Sequence, residues 1–150
     1  ALGGYTAGPQ AVVDLLRQRA RPYLFSNALP PAVVGAALVA LEIVATADDL
    51  RQRLFANAAF WRAGLTAAGF DLLPGAHPIV PVMLGEARAA QAMAAALSER
   101  GVHVAGFFFP VVPQGRARIR TQMNAALTRA DLEFGLEAFR AAGRATGVLG

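Results

Sequence analysis

The chain has 150 residues, 55% of them hydrophobic, which is enough to fill the core of one domain. It contains no cysteine, so disulfides, thiolate metal sites and cysteine nucleophiles are excluded. Its net charge is +4 and all 14 basic side chains are arginine, so no lysine is present to form a Schiff base. His77 and His103 are the two histidines, which argues against a histidine-rich metal site, and no metal is expected. The arginines are scattered among ten acidic residues, without a basic run interleaved with aromatics, which argues against nucleic acid as a partner.

The opening Ala-Leu-Gly-Gly has no cap and no polar lead-in, which suggests a piece of a longer chain. Tyr5-Thr-Ala reads as a short buried strand. Pro9 suits the first turn of a helix running to about Arg19, with Val12, Val13, Leu15 and Leu16 on its inner side. Arg21-Pro22 stops that helix, and residues 23 to 28 read as extended or loop. Pro30-Pro31 opens a second helix to about Ala45, apolar nearly all round and so expected to be buried on most sides. That run is too short to cross a bilayer and contains Gly35 and Glu42, so no membrane is expected as a partner. With no secretory signal and no cysteine, the expected location is cytoplasmic.

Asp48 and Asp49 mark the start of a third helix, whose stripe is Leu50, Leu54, Ala58, Trp61, Leu65 and Ala68, with Gly69 as its stop. Trp61 reads as core. The pattern then changes: Phe70 to Leu73 is a short strand and Pro74-Gly-Ala a turn. His77 to Leu84 is a strand whose two prolines imply an edge or a bulge. Residues 86 to 100 form an alanine-rich helix, with Ala90, Met93, Ala94 and Leu97 inward and Gly101 closing it. Val102 to Phe109 is a further strand, and residues 110 to 115 a loop. Thr128 with Asp131 forms a capping box for a last helix to about Thr146 that buries Leu132, Leu136 and Phe139.

Between loop and last helix, Arg116, Arg118 and Arg120 alternate with Ala117 and Ile119, the period of a strand with three guanidinium groups on one face. Such a row is either a solvated strand edge or a site for carboxylate or phosphate, which guanidinium binds bidentately. The order of elements after residue 47 describes an α+β unit, a small sheet with helices over one face. The two helices before it read as the end of a separate, larger domain, placing the boundary between residues 1–47 and 48–150.

Ala-Leu-Gly-Gly at the start, Arg-Pro-Tyr-Leu-Phe-Ser-Asn at 21 to 27, His-Pro-Ile-Val-Pro-Val-Met-Leu-Gly at 77 to 85, the stretch from Gly106 to Met123 and the Ala-Ala-Leu-Thr that follows share one resemblance. In order and over essentially the whole chain, they resemble the pyridoxal-phosphate-dependent α-oxoamine synthases. The resemblance implies a fold-type-I α/β transferase: its C-terminal small α+β domain, with a mostly antiparallel sheet, plus the tail of the large domain. Within that family the pattern is most similar to the members that condense glycine with acetyl-CoA to give 2-amino-3-ketobutyrate and CoA. Another member of the family, such as one that makes 8-amino-7-oxononanoate, is the alternative within it, although those relatives usually differ around the arginine strand.

The implied cofactor is pyridoxal 5'-phosphate (PLP), acting as an electron sink while the glycine Cα attacks the thioester. In the family the cofactor lysine directly precedes Ala-Leu-Gly-Gly, so it is expected just before Ala1. The chain alone is then expected to be inactive. Family members also carry a few Ser- and Gly-rich residues between Gly4 and Tyr5, which this sequence lacks. By position, Arg120 corresponds to the arginine that holds the amino-acid carboxylate. Ser26 corresponds to the serine that reaches across a homodimer interface to the neighbouring subunit's cofactor phosphate. A stand-alone α+β ligand-binding or dimerisation module with an anion-binding arginine strand is the alternative from a different class.

Overall fold

The computed structural model describes residues 3–150, so Ala1 and Leu2, the first half of the opening motif, lie outside the described residues. The chain divides into two units, Ala1–Asp48 and Asp49–Gly150.

The first unit holds three helices, α1 (Gln10–Arg19), α2 (Arg21–Phe25) and α3 (Pro31–Thr46). Residues 3 to 9 form no strand, and Tyr5 is 74% exposed, so the expected buried strand is absent. Arg21-Pro22 does stop α1, but residues 21 to 25 are helical rather than extended. Pro22 sits in the first turn of α2, where its missing N–H and fixed φ cost nothing, so one dipeptide ends a helix and begins another.

The apolar α3 corrects a second expectation. None of its residues is buried, and Leu38, Ile43 and Val44 are each at least half exposed. A helix apolar all round needs a neighbour on every side. Within this chain only Val33 of α3 is even half-buried. Of the α1 side chains expected inward, Val13 is half-buried and Val12, Leu15 and Leu16 are exposed.

The second unit contains the core. Helix α4 (Asp48–Ala67) buries Ala58, Trp61 and Leu65, and Leu54 and Ala68 pack against them. Gly69, at φ +96°, ends it. The amide of Phe70 donates to Leu65 O at 3.1 Å and that of Gly69 to Thr66 O at 3.0 Å, the paired bonds of a Schellman stop.

Strands β1 (Ile79–Gly85), β2 (Gly106–Phe107) and β3 (Ala117–Gln122) form an antiparallel sheet in the order β1-β3-β2. Strand β1 lies at an edge and its register slips between Met83 and Gly85, so both the edge and the bulge implied by its prolines are present. Residues 70 to 73 contribute one isolated bridge, Leu72 to Val82, in place of a strand.

Helices α5 (Ala87–Ser98) and α6 (Arg129–Ala145) complete the unit. Buried Val80, Val82 and Ile119 on the sheet join Met93 and Leu97 of α5, and Leu132, Leu136 and Phe139 of α6, in one core. Phe139 meets Trp61 and Phe70 edge to face, with centroids 5.4 and 5.8 Å apart.

Candidate functional site

The arginine strand is β3, and it is the middle strand of the sheet, so a solvated edge is not its position. Ala117, Ile119 and Thr121 are buried on the covered face, which turns Arg116, Arg118 and Arg120 to the other. Pairing on both sides fixes the backbone at Arg118 and Ile119, and pairing with β1 alone holds it at Arg120. Arg120 lies opposite Pro81 of β1, while Arg118 lies between Met83 and Phe107. Trp61 Nε1 donates to Thr121 Oγ1 at 2.9 Å, and that hydroxyl donates to Val80 O at 2.8 Å. These two bonds tie α4, β3 and β1 together directly behind Arg120.

The three arginines are held differently. Arg118 Nε donates to Arg116 O at 3.0 Å, which turns its side chain back along the strand. The Arg120 guanidinium instead lies 4.5 Å over the ring of Phe107. Among the described residues Arg120 donates to no carbonyl or carboxylate, so its planar set of donors is uncommitted and exposed. A fork of N–H groups free at its edge suits a carboxylate or phosphate bound side-on. A cleft of about 450 Å³ opens where β2 ends and β3 runs on, lined by His103, Arg120, Gln122 and Phe134 among others.

Sequence reasoning did not single out Phe107 as a partner of Arg120. The signal is present only as one phenylalanine in a run of three. Which of Phe107, Phe108 and Phe109 faces the arginines depends on a two-residue strand whose register comes from tertiary packing. A Cβ at Gly106 would come 3.3 Å from Ala90 O, so the lack of a side chain lets β2 lie against α5.

Ser26 lies in the first unit, just after α2, with extended backbone at φ −100° and ψ 162°. It is exposed and lines a groove of about 1020 Å³ together with Gly4, Thr6, Arg17, Tyr23 and Asn27. The Ser26 and Thr6 hydroxyls, the Arg17 guanidinium and the Gly4 backbone are lining groups whose chemistry suits the phosphate end of a cofactor such as PLP. Thr6 and Arg17 were not singled out from sequence, since nothing local marks two residues eleven apart as lining one groove. Among the described residues no cluster of His, Asp and Glu is placed to hold a metal ion. No helix among them is long and apolar enough to cross a membrane.

Comparison with known proteins places these features in context. Residues 1–139 match the family model of aminotransferase class I and II. The chain is 52% identical over 149 residues to 2-amino-3-ketobutyrate coenzyme A ligase of Escherichia coli strain K12, covering 99% of this chain and 37% of that protein. To the human mitochondrial protein of the same name it is 50% identical, covering 99% of this chain and 36% of the relative. An 8-amino-7-oxononanoate synthase of Symbiobacterium thermophilum is 42% identical over 148 residues, with coverages of 99% and 38%.

Among solved structures, serine palmitoyltransferase from S. paucimobilis with a bound PLP-myriocin aldimine matches with a TM-score of 0.87 at 37% identity, covering 91% of this chain and 35% of that one. An 8-amino-7-oxononanoate synthase from Francisella tularensis matches with a TM-score of 0.75 at 27% identity, covering 91% and 40%. The chain thus spans a little over a third of the curated relatives it matches. It belongs to the aminotransferase class I and II family.

Proposed function

With that family as the premise, we propose that the chain is the C-terminal part of a PLP-dependent acyltransferase that condenses glycine with acetyl-CoA. The products are 2-amino-3-ketobutyrate and CoA. The observation that carries this is Arg120, fixed on a central strand with its donors uncommitted, in a chain about half identical to ligases of that name. Residues 1–47 would belong to the larger domain and residues 48–150 to the small one. The enzyme would be a cytoplasmic homodimer, with Ser26 of one subunit donating to the cofactor phosphate held by the other.

When bound, the cofactor supplies an electron sink for the charge that develops on the glycine Cα as its proton leaves. The residues of this chain hold and orient. Arg120 takes the glycine carboxylate bidentately, which fixes rotation of the substrate about its Cα and so sets which C–H bond faces the sink. Ser26, with Thr6 and Arg17 lining the same groove, would donate to phosphate oxygens.

Arg120→Ala in the complete enzyme is expected to lower kcat/KM for glycine by about 100- to 10,000-fold, since two charge-assisted hydrogen bonds contribute about 1.5–3 kcal/mol each. The loss should fall on glycine KM as well as kcat, with the KM for acetyl-CoA little changed. In parallel, Ser26→Ala should release the cofactor faster on dialysis. The isolated 150-residue chain, with no lysine, should turn over no glycine in the same assay. Near-wild-type glycine kinetics in Arg120→Ala would overturn the reading.

A further inference from the structure

We propose that Phe107 is a positioning residue for glycine binding: its ring holds the Arg120 guanidinium in a plane with the donor edge turned outward. The inference rests on the reading of Arg120 as the carboxylate holder.

An arginine on an exposed sheet face has several rotamers, and a substrate that needs one of them must meet the cost of selecting it. The structure restricts that choice. Phe107 pairs directly with Arg118, which makes Arg120 its diagonal neighbour on the same face of the antiparallel pair. The ring nevertheless meets Arg120, at 4.5 Å, because Arg118 is drawn back to the carbonyl of Arg116 at 3.0 Å.

A ring and a backbone carbonyl act differently on a guanidinium. A carbonyl consumes an N–H and points it away from any ligand. A ring takes one face of the planar cation and consumes no donor. The arginine over the ring therefore keeps all its donors for a carboxylate, while Arg118 has given up its Nε–H and with it the side-on fork.

The ring can set this geometry because its own strand is set. β2 enters the sheet where Gly106 lies so near the backbone of Ala90 that even a methyl group there would come within 3.3 Å of the carbonyl oxygen. Its distance from α5 therefore has little slack. Arg120 is held from the other side, by the pairing of β3 with β1 opposite Pro81. The stack is a joint between two constrained backbones. A side chain of similar bulk without a flat face would fill the space without selecting the rotamer.

The test compares Phe107→Leu and Phe107→Met with Phe107→Tyr and Phe107→Trp in the complete enzyme. The non-aromatic variants should raise glycine KM about two- to five-fold, the size of a half-exposed cation–π contact. Their kcat, acetyl-CoA KM and melting temperature should stay near wild type, and Tyr and Trp should restore glycine KM. Equilibrium binding of glycine should weaken by the same factor, while binding of glycinamide, which has no carboxylate, should not change. A wild-type glycine KM in both non-aromatic variants overturns the proposal. So does an equal loss in all four variants, or an equal loss for glycinamide. Arg120→Ala is measured alongside. If it binds glycine normally, the reading of Arg120 falls first; if it loses glycine while Phe107→Leu does not, only the role of Phe107 falls.

Discussion

Thr128 and Asp131 close the first turn of α6 with reciprocal bonds. Asp131 N donates to Thr128 Oγ1 at 3.2 Å, and Thr128 N donates to Asp131 Oδ2 at 2.8 Å. The Thr128 hydroxyl also donates to that carboxylate at 2.7 Å. The hydroxyl and then the amide hold the Asp131 carboxyl below its usual pKa, because both bonds favour the ionised form. A carboxyl with a depressed folded-state pKa stabilises the fold above its unfolded value, and that contribution is lost as the pH falls through the folded value. The melting-temperature gap between wild type and Asp131→Asn should therefore be widest near neutrality and close in acid below the ordinary carboxylate range. A gap independent of pH would mean that the cap's charge contributes nothing. This cap was legible in the sequence because its partners are three residues apart. The Phe107–Arg120 stack was not, because its partners are brought together by a strand pairing that no local pattern encodes.

At the scale of elements, α4 and α6 approach where side chains are missing. A Cβ on Gly64 would overlap the methyl groups of Leu136, and one on Gly135 would lie 3.0 Å from the Trp61 ring. Leu136 is only 3% exposed and has nowhere to swing. Gly64→Ala should thus destabilise the fold by about 1–3 kcal/mol through overpacking, against a helix-propensity gain of about 0.5–1 kcal/mol. Thermal unfolding beside Gly4→Ala, where no atom lies within 4 Å of the added carbon, is the measurement. The long helices were readable in advance, since Leu54, Ala58, Trp61 and Leu65 recur at helical steps and their ends carry proline, aspartate or glycine. The short elements were not. Strand β2 is confined to Gly106–Phe107, and α2 depends on how Pro22 is used, which a proline's identity alone does not decide.

For the whole molecule, apolar composition foretold that helices would be hydrophobic, not which of them this chain would cover. Residues of α4, β3 and α6 reach full burial, while α3, the most apolar helix, does not. This unevenness implies two tiers of local unfolding in the isolated chain. Amides of α1 and α3 open with little exposure of packed surface, so in deuterium exchange they should label early and near their intrinsic rates. Those of Leu65, Ile119 and Phe139 should label only when the second unit unfolds as a whole, with protection equal to its global stability. Uniform protection across both tiers would contradict this. A helix that satisfies its own backbone yet is bounded by solvent on nearly every side is thus expected, in this chain, to behave as one member of a rapidly opening ensemble.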